Sequence, residues 1–300
     1  MTKLIIGSNS RKLGERLSEF LNLDCIEAYI NYFADGELRV QLAESLSGED
    51  VIIVQSTSRP VNDTLMELLL LVDAAKRAGA GRVITLVPYL GYSRQNKSKH
   101  LNEPVSAQLV AKFLEAAGVD QLITVDLHSL TIEDFFNIEV QNIETNSLFA
   151  DALKNKSNLM IVSPDAGGTE RAQKLSQVLG TPFVVMNKIR NFDSTCSMGS
   201  ISENVGGYNC ILVDDIVDTG NTLCGAAELL MQHGALSVEA FVTHGVLSGL
   251  AVERIEKSAL ERITITETIG QKVLPSKFKV LDVVFLLGNR MKIHLEKNKK

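Results

Sequence analysis

An apolar run, Ile211-Leu212-Val213, ends in Asp214 and Asp215; Asp218 follows, and then Thr219-Gly220-Asn221-Thr222. Beyond Thr222 the pattern turns helical, with Leu223, Ala226, Ala227, Leu230 and Met231 on one face. The stretch reads as a buried strand, a tight loop and the start of a helix. Such a loop offers an anion free backbone N–H groups and the positive end of a helix dipole. Gly220 lets the backbone come close, and Thr219 and Thr222 add hydroxyl donors. Asp214, Asp215 and Asp218 would repel a bare phosphate, so their chemistry is that of sugar hydroxyls or a metal ion. Phosphate on the amides and ribose on the acids makes a site for a sugar phosphate.

Ligands of open α/β sheets bind beyond the carboxyl ends of the strands, so the residues after each apolar run matter. After Leu159–Val162 come Ser163-Pro164-Asp165-Ala166-Gly167-Gly168-Thr169-Glu170-Arg171, a second strand–loop–helix junction with an acid and paired glycines. Gly167 and Gly168 let amides point at an anion, while Asp165 is suited to hold a metal. After Leu122–Val125 come Asp126-Leu127-His128, a histidine placed for metal or nucleotide contact. After Val83–Val87 the chain is glycine-kinked and aromatic, then basic, through Arg94, Gln95 and Lys97; these cations suit closure over a polyphosphate. A basic pair, Lys188 and Arg190, follows the Phe183–Met186 run. Taken singly, these segments have ordinary explanations: a capped turn, a satisfied histidine, a solvated loop. No G-x-x-x-x-G-K-[ST], complete G-x-G-x-x-G, H-E-x-x-H or serine elbow is present, so a nucleotide would be held by something other than a Walker loop.

The elements that must position these residues alternate along the chain. Continuous apolar strand-like runs at 4–6, 51–55, 83–87, 122–125, 159–162, 183–186, 211–213, 238–243 and 263–266 are interleaved with helical patterns at 12–21, 62–78, 106–117, 168–179, 222–233 and 281–297. Strands that are apolar throughout belong to a parallel sheet covered by helices on both faces, which makes the fold α/β. The chain divides softly into 1–143 and 144–300, with no Pro- or Gly-rich linker between the halves. With 300 residues, 45% hydrophobic, 22% charged and a net charge of −6, the composition is that of a globular protein without a nucleic-acid footprint. No apolar run reaches membrane-span length, and the N-terminus already reads as a strand. Cys25, Cys196, Cys210 and Cys224 lack metal spacing and read as reduced, largely buried thiols of a cytoplasmic protein.

The combination of Phe33-Ala34-Asp35-Gly36-Glu37, Gln55-Ser56-Thr57, Asn62-Asp63 with Leu65-Met66-Glu67-Leu68, Tyr89 to Gln95, Val125 to His128, Ser163 to Gly168 and Val213 to Thr222 resembles the ribose-phosphate diphosphokinase (phosphoribosyl pyrophosphate synthetase) family over nearly the whole chain. The acid-rich loop alone is shared with all type I phosphoribosyltransferases. The resemblance implies two tandem type I phosphoribosyltransferase-like domains, at 1–143 and 144–300, and the transfer of a diphosphoryl group from ATP to ribose 5-phosphate with Mg2+. It implies that Asp214, Asp215, Asp218, Thr219, Gly220, Asn221, Thr222 and Arg190 bind ribose 5-phosphate, and that Asp165, Ala166, Gly167 and Gly168 form a pyrophosphate loop. His128 and Asp165 match metal positions. Phe33, Asp35, Gly36, Glu37, Arg94, Gln95 and His128 match ATP contacts, the first four reaching a neighbouring subunit in a homo-oligomer built from dimers. Lys188 and Arg190 match the pair that stabilises the transition state.

The chain departs from the common family pattern at Asn96, where Asp is usual, at Asn221, where Gly is frequent, and at Gln141. Asn tolerates unusual φ better than most residues, so the loop is expected to keep its function. Two other readings were compatible with the family resemblance: a catalytically silent subunit of a true synthetase, and a phosphoribosyltransferase. The presence of Arg94, His128, Asp165, Lys188 and Arg190 favours the active synthetase over the first, and two domains rather than one favour it over the second.

Overall fold

The computed structural model describes residues 2–98, 100–190, 196–201, 203–271 and 273–297, with the side chains of residues 187–190, 196–200, 294, 296 and 297 outside the description. Its strands are β1 (Thr2–Ile6), β2 (Cys25–Ile26), β3 (Ala28–Tyr32), β4 (Leu38–Leu42), β5 (Asp50–Val54), β6 (Arg82–Val87), β7 (Gln121–Val125), β8 (Glu139–Ile143), β9 (Leu159–Ser163), β10 (Phe183–Arg190), β11 (Cys196–Ile201), β12 (Asn209–Val217), β13 (Ser237–Gly245), β14 (Arg262–Thr266) and β15 (Phe278–Leu281). Its helices are α1 (Arg11–Leu21), α2 (Val61–Arg77), α3 (Ser106–Ala117), α4 (Asn146–Leu153), α5 (Thr169–Leu179), α6 (Asn221–Gln232), α7 (Ala251–Lys257) and α8 (Val284–Lys297).

The chain forms two compact units. The first holds residues 1–143 with 268–270 and 283–300. Its sheet runs in the order β2-β1-β5-β6-β7-β8, parallel throughout. The buried runs of β5, β6 and β7 pack with Leu68, Leu71 and Val72 of α2 and Val110, Ala111 and Leu114 of α3 into one core. Hairpin β3–β4 forms a separate antiparallel ribbon. The sequence division put everything after residue 143 in the second half. Helix α8 belongs instead with α1, where Phe285 meets the edge of the Phe20 ring at 6.0 Å and Lys292 lies 4.2 Å from its centroid. Gly288 permits that approach, because a Cβ there would fall 2.3 Å from the Phe20 ring.

The second unit, residues 144–267 and 271–282, carries the order β11-β10-β9-β12-β13-β14-β15 among the described residues. All neighbours are parallel except β10 and β11. The apolar stretches of β9, β12, β13 and β14 are buried on both faces, as their unbroken hydrophobic sequence requires. Phe149 of α4 packs edge-on against Phe241 of β13.

Each unit has one point where consecutive connections leave in opposite directions. In the second unit β9 is followed by β10 on one side and β12 by β13 on the other, so the crevice opens between the carboxyl ends of β9 and β12. In the first unit the same reversal falls between β1 and β5. There the polar side chains bind one another. Buried Glu67 accepts from the Ser8 N–H at 2.6 Å, the Ser8 hydroxyl at 2.5 Å and the Gln55 amide at 3.0 Å. Asn9 donates to the Ser56 carbonyl and the Ser58 hydroxyl. The reversal point of the second unit is lined by glycine loops and acids instead.

Candidate functional site

The sequence pattern placed Asp214 and Asp215 just past a strand end. The structure corrects this: β12 runs on to Val217, with both acids inside it. The pairing with β9 ends at Leu212, while the pairing with β13 continues through Val217. The acids therefore stand on the part of β12 that overhangs its neighbour. The Asp215 N–H donates to the Asp214 carboxylate at 2.9 Å, and the Asp215 carboxylate accepts from the Arg171 guanidinium at 3.4 Å. Burial pushes the Asp214 carboxyl well above the usual carboxylate range, the neighbouring Asp215 and Asp165 raise it further, and Arg171 opposes them. A carboxylate in that position gains from a cation or from sugar hydroxyls that donate to it. Arg171, three residues past the paired glycines, had no assigned role in the sequence pattern; its spacing from Asp165 carries no signal of a partner on another strand.

After β12, Asp218 is half-buried, Thr219 and Asn221 are exposed, and Gly220 takes φ +79° as the cap residue before α6. No side chain caps the helix, so its first-turn amides face outward without an internal acceptor from the cap residue. A Cβ on Gly220 would meet the Ile255 side chain at 3.2 and 3.3 Å, so both the conformation and the space select glycine.

The second loop follows β9. The Ser163 hydroxyl donates to the Asp165 carbonyl at 2.6 Å, and the Asp165 carboxylate accepts the Gly167 N–H at 2.9 Å. Thr169 closes the turn by donating to the Ala166 carbonyl at 2.9 Å, and α5 begins. A Cβ on Gly168 would lie 2.7 Å from the Ser163 hydroxyl, so Gly168 is needed to keep that bond. Ala166 and Gly167 are exposed at the turn. Strand β10 pairs with β9 only through Val185, so the backbone of Lys188 and Arg190 continues beyond the same sheet edge; their side chains lie outside the described residues.

In the first unit, Pro88 to Gln95 follow β6 and His128 follows β7, its neighbour in the sheet. The root of the first segment is fixed at the corner after β5. Thr57 N–H and hydroxyl both donate to the Tyr89 carbonyl, and the Gly91 N–H donates back to that hydroxyl at 2.7 Å. The Gln95 side chain accepts from Ser106 at 2.5 Å, while Arg94 is exposed. Asn96 donates to the Thr131 hydroxyl at 3.3 Å, which brings the Arg94–Asn96 loop beside the segment that begins at exposed His128. Asp126 is buried with φ +38° before the chain turns out to His128. Phe33, Asp35, Gly36 and Glu37 form the turn of hairpin β3–β4: the Phe33 N–H donates to the Glu37 carbonyl at 2.8 Å and Gly36 takes φ +93°. That turn sits on its own ribbon, apart from the six-stranded sheet, and Phe33 is half exposed.

Among the described residues no cluster of three or more His, Cys, Asp or Glu side chains is arranged to enclose a metal. The junction offers carboxylate oxygens of Asp214, Asp215 and Asp165, close enough for each to act on the Asp214 titration. That donor set fits Mg2+, which takes one or two carboxylates together with substrate phosphate oxygens and keeps several waters. Of the cysteines, Cys210 and Cys224 are buried and Cys25 is exposed; burial alone pushes the Cys210 thiol up to about 11, leaving it inert.

Comparison with known proteins decides the lineage. Residues 2–118 match the N-terminal domain of ribose phosphate pyrophosphokinase, and residues 133–275 match the phosphoribosyl transferase domain. Ribose-phosphate pyrophosphokinase 1 of Streptococcus pneumoniae serotype 4 is 40% identical over 97% of this chain and 94% of its own. The chain belongs to the ribose-phosphate pyrophosphokinase family. The Rhizobium meliloti ribose-phosphate pyrophosphokinase is 43% identical over 95% of the chain and 94% of its own length. The crystal structure of phosphoribosylpyrophosphate synthetase from Mycobacterium smegmatis matches with a TM-score of 0.93 at 33% identity, covering 99% of both chains. The family's two α/β domains, one of them a phosphoribosyl transferase domain, are the fold expected from the sequence pattern. No helix among the described residues is long and apolar enough to cross a membrane.

Proposed function

We propose that this pyrophosphokinase-family chain is a ribose-phosphate diphosphokinase, converting ATP and ribose 5-phosphate to AMP and phosphoribosyl pyrophosphate. The observation that carries the reading is the junction after β12, where a glycine-capped helix start follows Asp214, Asp215 and Asp218, in a chain that matches a ribose-phosphate pyrophosphokinase over 97% of its length. The 5-phosphate rests on the amides and hydroxyls of Asp218 to Thr222, and the ribose hydroxyls donate to Asp214 and Asp215. The diphosphoryl group lies on the Asp165–Gly168 turn. ATP is held by Arg94, Gln95 and His128, with Phe33, Asp35, Gly36 and Glu37 gripping the base from a neighbouring subunit of a homo-oligomer. The halves 1–143 and 144–300 are accordingly the ATP and sugar-phosphate domains, with α8 returning to the first.

The sugar's anomeric oxygen forms its bond to the β-phosphorus as the bond from that phosphorus to the bridging oxygen breaks. AMP leaves with the bridging oxygen, and the hydroxyl proton is lost. Lys188 and Arg190 stabilise the negative charge that grows on the transferring group. Mg2+, which Asp165 would hold together with phosphate oxygens, would neutralise polyphosphate charge when bound. Both substrates point to the cytoplasm as the compartment.

The test is release of AMP by purified protein given ATP, ribose 5-phosphate and Mg2+, with and without added phosphate. Turnover is expected. A folded oligomer that binds both substrates without turnover would overturn the reading in favour of a silent subunit.

A further inference from the structure

Three successive carbonyls of the sugar-phosphate loop are held from behind by one segment, the stretch from the end of β13 into α7. The Val217 carbonyl accepts the Leu247 N–H at 3.0 Å, and the Asp218 carbonyl accepts the Ser248 N–H at 2.9 Å. The Thr219 carbonyl accepts the Arg254 guanidinium. In a trans peptide the carbonyl and the following N–H point in opposite directions. Pinning these three carbonyls therefore turns the N–H groups of Asp218, Thr219 and Gly220 away from the bracing segment. Successive N–H groups turned to one side make an anion-binding concavity.

We propose that Arg254 is a positioning residue for ribose 5-phosphate, acting through the Thr219 carbonyl to aim the Gly220 N–H at the 5-phosphate. This rests on the reading of residues 218–222 as the phosphate cradle. The brace is itself anchored. Lys277 donates to the carbonyls of Ile255, Glu256 and Ser258 at 2.9, 2.9 and 3.0 Å, tying down the carboxyl end of α7. Ile255, the residue after Arg254, is fully buried and stands against Gly220. Leu247 adopts φ +51°, a conformation that costs a non-glycine residue energy and that the fold maintains where its N–H meets Val217. Two of the three pinning donors are backbone amides that no substitution removes. Arg254 is the donor a side-chain change can withdraw, and with it the direction of the Thr219–Gly220 peptide.

The experiment compares Arg254→Ala, Arg254→Gln and Arg254→Lys in steady-state kinetics and in calorimetric binding of ribose 5-phosphate without ATP. Loss of a charge-assisted hydrogen bond predicts that Arg254→Ala raises KM and Kd for ribose 5-phosphate by about 10- to 100-fold. The KM for ATP stays unchanged, and Arg254→Lys recovers part of the loss. An unchanged ribose 5-phosphate affinity in Arg254→Ala, or equal rises in both KM values, would overturn the proposal. If Arg254→Ala fails to fold, ribose 5-phosphate affinity falling in the order native, Lys, Gln carries the test, and equal affinity in all three overturns the proposal. Thr222→Ala separates the two levels. Weaker ribose 5-phosphate binding in Thr222→Ala but not in the Arg254 variants removes the brace alone, while no effect in either removes the cradle as well.

Discussion

Gly220 carries two separable demands, and Gly220→Ala measures both. At φ +79° an alanine pays the left-handed penalty, about 1–2 kcal/mol, partly offset by the lower entropy of its unfolded chain, about 0.4–1 kcal/mol. The added Cβ also meets Ile255 at 3.2 and 3.3 Å in a fully buried position, and overpacking of that kind costs about 1–3 kcal/mol. The two together give about 1–5 kcal/mol. Gly180→Ala is the control: it ends α5 at φ +65° with nothing within 4 Å of its Cβ, so it carries the conformational part only. At about 2–4 °C per kcal/mol, Gly220→Ala should lower Tm by roughly 2–20 °C, and always by more than Gly180→Ala, whose loss is a few degrees at most. Ile255 cannot move far, so the loop shifts as well, and KM for ribose 5-phosphate should rise in Gly220→Ala and stay constant in Gly180→Ala. Ile255→Val on the Gly220→Ala background removes the Cδ1 that crowds the new methyl. The pair should be less destabilised than the sum of the single changes, because the two positions touch. Equal Tm losses in Gly220→Ala and Gly180→Ala, with ribose 5-phosphate affinity unmoved, would refute the argument from space and from cradle geometry together.

Asp214 gives a pH prediction with a definite sign. Its folded pKa is raised, chiefly by burial and then by Asp215, so the stability its protonation supports is full below the ordinary carboxylate range and is lost as pH rises through the raised value. Asp214→Asn should therefore melt higher than the native chain at neutral and alkaline pH, the gain shrinking toward acid, while ribose 5-phosphate binds more weakly; a variant less stable at neutral pH contradicts the burial argument. In the first unit, Thr57→Val leaves the buried Gly91 N–H without the hydroxyl it meets at 2.7 Å, a loss of about 1–3 kcal/mol. Because that bond roots the loop bearing Arg94, KM for ATP should rise more than KM for ribose 5-phosphate, and Thr57→Ser should restore it. Equal effects on both substrates would reduce Thr57 to a structural role.

The parts legible in the sequence were those whose chemistry is local. Leu159–Val162 and Ile211–Val213 are apolar without alternation because both faces of β9 and β12 are buried, and Gly168 and Gly220 are glycines because a Cβ at either meets an atom already in place. Hairpin β3–β4 passed unseen: its residues alternate between half-buried and exposed, so no apolar run marks it, although its turn, Phe33 to Glu37, was recognisable as a motif. Helix α7 has seven residues, too few for helical periodicity to show, and β8 and β15 are sheet edges with a single buried residue each. Asp214 and Asp215 read as the end of a strand because charge normally marks the end of burial; here the strand continues, and the conflict between burial and charge is the feature that raises the affinity of Asp214 for a proton. The direction of the loop amides has a different origin. Thr219, Gly220 and Asn221 specify a loop able to bend, but which side its N–H groups face depends on which carbonyls are held. Those holders, Leu247, Ser248 and Arg254, lie some thirty residues further on, beyond α6 and β13. An anion site at a helix start is thus written in two places, and the second becomes readable only when the fold brings the carbonyls to their donors.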